Sequence, residues 1–354
     1  MTKLNDILQA RIANHGPISI ADYMAECLLH PELGYYSRRD PFGAKGDFTT
    51  APEISQMFGE LLGLWLAQSW IDAGQPPSFV LAEIGPGRGT LMADVWRATK
   101  GVPGFHDAAK PYLIEASAHL RSVQKATLGG ANANWVGTID ELPDALLFLL
   151  ANEFFDALPI RQYKRQKSGW SELLIGANAD GLCFGQAAPS PNTSLDHRLD
   201  DTNEGDLVEV CSAMQGVMET VNDRIKTNGG VALVVDYGDW RSLGSTLQAI
   251  KSHAFVDVLT NSGEADLTAH VDFEALANAA PDLNYSRLTP QGIFLQRLGI
   301  DHRAEVLGNQ LSGAALESHK AAHHRLTAAD EMGTLFKAMA FYAPNSPLPP
   351  GFQQ

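Results

Sequence analysis

The stretch Phe79-Val-Leu-Ala-Glu-Ile-Gly-Pro-Gly-Arg-Gly89 decides the fold. Its apolar beginning predicts a short buried strand, and its glycines predict a tight turn into a helix that starts at Thr90. In sheets whose parallel strands are joined by helices, ligands bind outside the carboxyl ends of the strands. Glycines at such a turn allow a ligand to approach the backbone, and the following helix supplies N–H donors. A glycine turn alone is weak evidence of a site, because a strand–helix turn without a ligand has the same sequence.

Apolar strands alternate with amphipathic helices on both sides of this turn, which predicts an α/β fold with a mostly parallel sheet. The longest apolar runs of the chain are interpreted as further buried strands, and a last strand is predicted near the end of the chain. The predicted strands other than the first are 111–115, 145–150, 230–238 and 335–342.

Two regions lie outside this alternating pattern. Residues 1–75 have the pattern of a helical region with one glycine-rich loop. Residues at about 160–206 interrupt the sheet as an antiparallel β-meander followed by a polar loop, and a helix is predicted near 207–226. We therefore expect an N-terminal helical region, 1–75, and a sheet domain, 76–354, that carries an insertion at about 160–206.

Two capping-box sequences, which begin at Ser19 and Thr50, predict helix starts within the N-terminal region. After Thr50, apolar residues at helical spacing form a stripe over residues 54–65. Core packing is the simplest interpretation of this stripe. An interface between subunits is the alternative, so the sequence does not fix the oligomeric state.

The composition is that of a globular protein, since 45% of the 354 residues are hydrophobic, 19% are charged and the formal net charge is −15. Such an acidic chain is a poor partner for nucleic acid or for an anionic membrane surface, whereas it suits a basic protein substrate. Three cysteines without a C-x-x-C pattern indicate neither a disulfide framework nor a zinc site, and no metal is predicted. The sequence has no apolar run of membrane-spanning length and no signal or transit pattern at its start, so the cytoplasm is the predicted compartment.

The positions of two acids relative to the glycine turn distinguish two kinds of nucleotide-binding fold. Glu115 ends the next predicted strand, and dinucleotide-binding folds share this acid. Glu83, two positions ahead of the first glycine, resembles the first acid of class I S-adenosylmethionine-dependent methyltransferases. The resemblance implies that Glu83 meets the amino-acid part of the cofactor and that Glu115 accepts the ribose hydroxyls. Gly85, Gly87 and Gly89 then form the turn, although Gly89 comes one residue early for a G-x-G-x-x-G pattern.

The segment Asn152-Glu-Phe-Phe-Asp156 follows the predicted strand at 145–150. In class I methyltransferases this position faces the methyl group, where catalysis is chiefly alignment in a dry site. Asn152 is predicted to hold a nitrogen nucleophile through its carbonyl oxygen, and Phe154 and Phe155 to wall the substrate site. Glu153 and Asp156 are predicted to hold a guanidinium through charge-assisted hydrogen bonds. The alternative is a strand–helix loop with a capping asparagine and phenylalanines in the core.

The chain as a whole resembles the MidA-type family, methyltransferases that assist the assembly of mitochondrial respiratory complex I and have bacterial relatives. The resemblance implies methylation of an arginine on a core matrix-arm subunit of complex I. It is carried by Gly34-Tyr-Tyr-Ser37, Gly46-Asp-Phe-Thr-Thr-Ala-Pro-Glu-Ile-Ser-Gln56, Phe58-Gly-Glu60, Glu83-Ile-Gly-Pro-Gly-Arg-Gly-Thr-Leu91, Glu115-Ala-Ser117, Leu120-Arg121, Ala151-Asn-Glu-Phe-Phe-Asp-Ala-Leu-Pro159, Asp236-Tyr-Gly238, Asp266-Leu-Thr-Ala-His-Val-Asp-Phe273 and Met332-Gly-Thr-Leu-Phe336.

The resemblance also changes the interpretation of the loop at 34–50. In the family this segment belongs to a lid-like N-terminal part near the cofactor, so Gly46, Asp47 and Thr49 become candidate contacts of cofactor or substrate. His270 has two interpretations: a hydrogen-bonded polar residue without a catalytic role, or a general base or acceptor-positioning group. A strong base is not required, because a guanidinium loses its proton late in methyl transfer.

The leading hypothesis is therefore a protein arginine N-methyltransferase with S-adenosylmethionine as cofactor. An NAD-type oxidoreductase is disfavoured by Glu83 and by the glycine spacing. A non-catalytic assembly chaperone that binds S-adenosylmethionine and a methyltransferase of small-molecule amines remain as alternatives. The sequence does not distinguish monomethylation from symmetric or asymmetric dimethylation.

Overall fold

The structure, a computed structural model, describes residues 2–38 and 49–353, and the chain divides into two compact units. The sheet unit comprises residues 49–155, 216–240 and 273–354, and the meander unit comprises residues 1–48, 156–215 and 241–272. The sequence-based division into 1–75 and 76–354 stays a prediction.

A mostly parallel sheet forms the centre of the sheet unit, as the alternating pattern predicts. Four strand pairs are parallel, while Phe336–Tyr342 pairs antiparallel with Gly230–Asp239. The apolar strands are buried on both faces, which is why their sequences show no alternation. The strand order is Asn284–Tyr285, Phe336–Tyr342, Gly230–Asp239, Leu147–Asn152, Phe79–Ile84, Ala109–Ile114 and Asn134–Val136, with Thr289–Pro290 also paired to Phe336–Tyr342.

Helices cover this sheet and bury a continuous aromatic and aliphatic core. Phe79 is completely buried and its ring packs against the rings of Trp70, Phe105 and Phe148. The helices are Ala51–Ile54, Gln56–Asp72, Thr90–Thr99, Phe105–Ala108, Ala118–Leu128, Ile139–Glu141, Phe273–Asn278, Gln291–Arg297, Ile300–Gly308, Gly313–Thr327 and Met332–Leu335, and Ser212–Asn228 runs from residues of the meander unit into this unit.

The apolar stripe at 54–65 is core rather than surface, since its large side chains other than Ile54 and Leu64 are buried. The single helix predicted from Thr50 is wrong, however, because the chain forms two helices here. Thr50 makes no side-chain cap bond, and Ser55 is extended and caps the second helix by accepting the backbone N–H of Met57. The helix start predicted at Thr50 is therefore confirmed, because Ala51–Ile54 begins directly after it, whereas the side-chain hydrogen bond of a capping box is not formed there.

The meander unit contains the predicted antiparallel insertion. Its central strand, Gly169–Asn178, pairs with strands on both sides. A second sheet has the order Ala254–Val256, Gln248–Lys251 and Asp266–Thr268. The remaining elements are helices Lys3–His15, Ile20–Leu29, Tyr35–Arg38 and Thr193–Arg198 and strands Ile18–Ser19, Arg161–Gln166, Gly181–Gln186, Leu207–Val210 and Val271–Asp272.

The helix predicted near 207–226 is wrong at its beginning. Residues Leu207–Val210 form a strand that pairs with Arg161–Gln166, and the helix starts only at Ser212. Two of the four residues of the strand Leu207–Val210 are valines, whose β-branched side chains pack well on a pleated surface. None of the helices within residues 2–38 and 49–353 combines the length and the apolar character that a membrane span requires.

Three helices of the sheet unit are joined by a buried carboxylate. Glu60 is 4% exposed and accepts hydrogen bonds from Arg97 at 2.5 Å and from Arg303 at 2.7 Å. Burial raises the pKa of Glu60, but the hydrogen bonds from Arg303 and Arg97 more than offset it and hold the pKa below its usual range. The carboxylate therefore stabilises the folded chain when it is ionised.

Replacement of Glu60 by glutamine is expected to lower the free energy of unfolding by about 1.5–3 kcal/mol at pH 7, the usual worth of hydrogen bonds to a charged group. Because the folded-state pKa is depressed, the contribution is present above the ordinary pKa of Glu and is lost as the pH falls through the folded value. Urea unfolding at pH 7 and below pH 4.5 measures both effects. The exposed Glu317, paired with Lys320, supplies the control E317Q. Equal losses in the two variants, or a loss that does not shrink in acid, would contradict this role.

Candidate cofactor and acceptor site

The glycine loop, residues 85–89, has a backbone that only glycine adopts without strain. Gly85, Gly87 and Gly89 have φ values of +65°, +50° and +81°. A Cβ on Gly85 would lie 2.7 Å from Cδ2 of Phe154, and a Cβ on Gly89 would lie 3.3 Å from Cγ of Gln124. All three predicted glycines thus lie together at the end of one strand, and the Phe154 and Gln124 side chains lie where Cβ atoms of Gly85 and Gly89 would point.

Glu83 presents a carboxylate that the described part of the chain satisfies on one side only. Its side chain is 3% exposed and accepts a hydrogen bond from the backbone N–H of Met92. Its Oε2 is buried and has no hydrogen-bond partner among residues 2–38 and 49–353. Burial raises the pKa of Glu83 to about 8. An ammonium group is the ligand that would satisfy this oxygen and favour its ionised form.

Glu115 lies at the end of the neighbouring strand and is held in a fixed orientation. Its Oε1 accepts the backbone N–H of Ser117 at 2.7 Å, and its Oε2 accepts the side-chain amide of Gln124 at 3.2 Å. Burial raises the pKa of Glu115, while these hydrogen bonds oppose the rise. A carboxylate oxygen offers more than one acceptor position, so ribose hydroxyls can still donate to it.

These observations fit S-adenosylmethionine at the carboxyl edge of the sheet. The unsatisfied Glu83 oxygen suits the ammonium of the amino-acid part, Glu115 suits the ribose, and the glycine loop follows the strand that carries Glu83. No group of three or more His, Cys, Asp or Glu side chains in the described part of the chain is arranged to hold a metal ion.

The loop at 152–155 lies at the same edge because the parallel strands are in register. Ala151 pairs with Ile84 and Asn152 with Val235. Asp236, which is completely buried, fixes this loop: its Oδ2 accepts the backbone N–H groups of Phe154 at 3.2 Å and Phe155 at 3.0 Å. The sequence analysis noted Asp236 only within a matching segment. An acid at the end of a buried apolar strand was the signal that could have identified it.

Asn152 and Glu153 are joined through their side chains. Nδ2 of Asn152 donates to Oε1 of Glu153 at 3.1 Å, and the same oxygen accepts the backbone N–H of Ala51 at 2.9 Å. Oδ1 of Asn152 is buried and has no hydrogen-bond donor among the residues that the structure describes. Glu153 also has a left-handed backbone, with φ of +51°, which is strained for a residue with a side chain.

The two phenylalanines of the loop differ in their surroundings. Phe154 is half-buried and its ring lies against Gly85, so it contacts the glycine loop directly. Phe155 is 4% exposed and packs edge-to-face on Phe154, with ring centroids 5.2 Å apart. Phe154 is therefore placed to contact ligands at the glycine loop, and Phe155 supports it.

The segment before helix Gln56–Asp72 is attached to the glycine loop. Glu53 accepts the hydroxyl hydrogen of Thr90 at 2.5 Å, and Arg88 lies 3.8 Å from its other oxygen. Thr49 is half-buried at the start of the sheet unit. The candidate contacts Gly46 and Asp47 lie outside the described residues.

Asp156 and His270 belong to the meander unit. The carbonyl oxygen of Asp156 accepts the backbone N–H of Ala269 at 2.9 Å, and the backbone N–H of His270 donates to the hydroxyl of Thr246 at 2.8 Å. Tyr36 donates its hydroxyl to Asp266 at 3.0 Å. Burial and then the carboxylates of Asp266 and Asp156 raise the pKa of Tyr36 well above its usual value. The structure thus brings Asp156 near Tyr36 and Asp266, which the sequence analysis noted only within matching segments.

Comparisons with known proteins identify the family of the chain. Residues 61–291 match the model of a family described as "Putative S-adenosyl-L-methionine-dependent methyltransferase". The chain is 36% identical to "Protein arginine methyltransferase NDUFAF7, mitochondrial" of Xenopus tropicalis, over 92% of this chain and 83% of that protein. It is also 36% identical to the Homo sapiens protein of the same name, over 85% of this chain and 74% of that protein.

Solved structures give the same result for the fold. A COG1565 superfamily member from Burkholderia thailandensis, crystallised with S-adenosyl-homocysteine, superposes with a TM-score of 0.82 at 27% sequence identity. The superposition covers 99% of this chain and 92% of the other. The predicted class I-like methyltransferase fold, with S-adenosylmethionine as cofactor, is confirmed.

Proposed function

Since the chain belongs to a family of S-adenosyl-L-methionine-dependent methyltransferases, the one its sequence resembles, we propose that it methylates a protein arginine on a subunit of respiratory complex I. The observation that carries a catalytic role is the buried, unsatisfied Oδ1 of Asn152 at the carboxyl edge of the sheet. The names of the relatives support arginine as the acceptor. The proposal that the substrate is a subunit of complex I rests on the family resemblance. The cytoplasm stays the predicted compartment, whereas the names of the relatives say mitochondrial.

The residues at the strand ends hold the cofactor. S-adenosylmethionine, when bound, supplies a methyl group on a sulfonium for in-line displacement. Glu83 binds the ammonium through Oε2, Glu115 accepts the ribose hydroxyls, and the glycine loop presents a backbone without Cβ atoms to the ligand.

The loop at 152–155 aligns the acceptor. Oδ1 of Asn152 accepts an N–H of the guanidinium, so that the nitrogen lone pair faces the methyl group. Phe154 excludes water beside the glycine loop. Glu153 is proposed to hold the positive charge of the guanidinium. The roles predicted from the sequence for Asp156 and His270, which belong to the meander unit, stay predictions. Thr49 is proposed as a further contact of the ligands.

The test is mass spectrometry of complex I subunits incubated with the protein and S-adenosylmethionine. We expect monomethyl- or dimethylarginine on a matrix-arm subunit with wild-type protein, and its loss with N152A. Binding of S-adenosyl-homocysteine without any change in the subunits would favour the non-catalytic chaperone. Methyl incorporation into a small-molecule amine instead would favour the third hypothesis.

Binding of the cofactor product is expected to release a proton near neutral pH. In the free protein the pKa of Glu83 is raised to about 8, so the carboxyl is protonated at pH 7, and an ammonium ligand lowers that pKa. The affinity for S-adenosyl-homocysteine should therefore rise between pH 6 and pH 7.5. Calorimetry at pH 7 in phosphate and in Tris measures the proton through the different ionisation enthalpies of these buffers.

E83Q is expected to abolish the proton release and to weaken binding by about tenfold or more at pH 7.5, the effect of losing one charge-assisted hydrogen bond. E317Q, on the exposed surface, is the matched control and should behave as the wild type. Proton release that persists in E83Q would show that another group titrates.

A further inference from the structure

We infer that Gln124, oriented by the indole of Trp135, is a positioning residue of the cofactor site that fixes the Glu115 carboxylate and the Gly87 carbonyl. The inference rests on the proposed role of Glu115 as the acceptor of the ribose hydroxyls. Neither Gln124 nor Trp135 stands out in the sequence, because both lie in ordinary amphipathic elements.

Gln124 contacts both elements that carry the cofactor residues. It is completely buried on helix Ala118–Leu128. Its Nε2 donates to the carbonyl oxygen of Gly87 at 2.7 Å and to Oε2 of Glu115 at 3.2 Å. Its Cγ lies where a Cβ on Gly89 would approach to 3.3 Å. One amide thus ties the glycine loop to the acid of the neighbouring strand.

Trp135 determines which end of the amide faces the site. Its indole N–H, which can only donate, lies 2.8 Å from Oε1 of Gln124. This contact places the oxygen towards Trp135 and the NH2 towards Gly87 and Glu115. The indole is itself held by the ammonium of Lys125, 5.2 Å from the ring.

The edge strand Asn134–Val136 therefore positions both the backbone and the side chain of Glu115. The carbonyl oxygen of Val136 accepts the backbone N–H of Glu115 at 3.0 Å, and Trp135 acts on its side chain through Gln124. Burial favours the neutral form of Glu115, and the Gln124 amide donates to the ionised form. Gln124 thus keeps the carboxylate both oriented and charged.

The variant Q124E exchanges the amide donor for a second carboxyl group beside Glu115. Two neighbouring carboxyl groups share one proton, and the shared proton is lost as the pH rises. With the proton present, the pair keeps the hydrogen bond between positions 124 and 115, whereas the bond to the Gly87 carbonyl is lost at every pH because a carboxyl group has one hydrogen and the amide has two. Without it, the two charges repel and displace Glu115. Q68E is a matched control, because Gln68 donates to Asp72 at 2.7 Å on the exposed face of another helix.

The experiment measures the Kd of S-adenosyl-homocysteine by calorimetry between pH 5.5 and pH 8.5 for wild type, Q124E, Q68E and W135F. The ratio of the Q124E value to the wild-type value removes any titration common to both proteins. We expect this ratio to rise by about tenfold or more between pH 5.5 and pH 8.5, while the Q68E ratio stays near one. W135F, which retains the amide, should show a pH-independent weakening of about threefold to tenfold.

A Q124E ratio that stays at one would overturn the inference. A ratio that is raised equally at every pH, together with a lower Tm of the unliganded variant, would also overturn it, since that pattern reports damage to the fold. W135F keeps the inference testable if Q124E does not fold, because wild-type affinity in W135F would contradict the role of the indole. Wild-type protein that binds no S-adenosyl-homocysteine would overturn the cofactor site itself, a result distinct from normal binding in the variants.

Discussion

Alanine at position 236 is expected to lower the methyl-transfer rate by about 100-fold or more, because a displacement of about 1 Å at the reacting groups has that effect. Asp236 is completely buried and accepts three backbone N–H groups, from Phe154, Phe155 and, at 2.9 Å, Tyr237. Each buried donor left without a partner costs about 1–3 kcal/mol. The free energy of unfolding should therefore fall by several kcal/mol, and the loop at 152–155 should lose its anchor.

Urea unfolding and incorporation of labelled methyl groups measure the two effects of D236A. D239A is the matched control, because Asp239 ends the same strand but is exposed, and its side chain accepts the neighbouring backbone N–H of Trp240. We expect D239A to change the free energy of unfolding by less than about 1 kcal/mol. D236N, which keeps one acceptor oxygen, should fall between the two. Equal behaviour of D236A and D239A would contradict the anchoring role.

The central sheet was predictable because its signals are local. Each buried strand is an apolar run of the required length. The glycines after Phe79–Ile84 predict the turn, and they have positive φ in the structure. The strands Leu147–Asn152, Gly230–Asp239 and Phe336–Tyr342 lie within two residues of the predicted limits. The site edge follows from the same information, since parallel strands in register end together.

The two errors have different causes. The break between the helices Ala51–Ile54 and Gln56–Asp72 depends on an extended backbone at Ser55 within an apparently continuous helical pattern. Residues Leu207–Val210 become a strand because Arg161–Gln166 lies beside them to pair with. This strand pairing joins residues far apart in the sequence, so no local sequence pattern predicts it.

The structure gives Glu153 contacts that its sequence pattern did not indicate. The sequence predicts Glu153 as a guanidinium partner. In the structure, its Oε1 accepts from Ala51 and from Asn152, and its strained backbone is held by a hydrogen bond from its N–H to the carbonyl of Val235. Strain of this kind persists only where the surroundings enforce it. Glu153 therefore orients the amide of Asn152 in addition to its proposed contact with substrate.

That orientation makes Asn152 the residue whose loss should act on catalysis alone. Because Nδ2 is bound to Glu153, Oδ1 is the end of the amide left for a ligand, and it has no donor within the described chain. A substrate N–H is the group that would complete it. The side-chain oxygens of Glu83 and Glu115 are not hydrogen-bonded to the Asn152 amide. Binding of the cofactor should therefore not depend on Asn152.

N152A is accordingly expected to lower kcat by about 100-fold or more, the effect of removing one positioned hydrogen-bonding group from a reacting centre. The Kd of S-adenosyl-homocysteine should change by less than about threefold, because the Asn152 amide makes no hydrogen bond to the cofactor residues. A threefold change is well below the tenfold change that corresponds to about 1.4 kcal/mol of binding free energy. Labelled-methyl incorporation and calorimetry measure the two quantities. N284A, at an exposed asparagine that starts the strand at the opposite edge of the sheet, is the control and should leave both unchanged. Parallel losses of kcat and of cofactor affinity in N152A would mean that the residue supports the fold of the site, whereas normal kcat would remove Asn152 from the acceptor site.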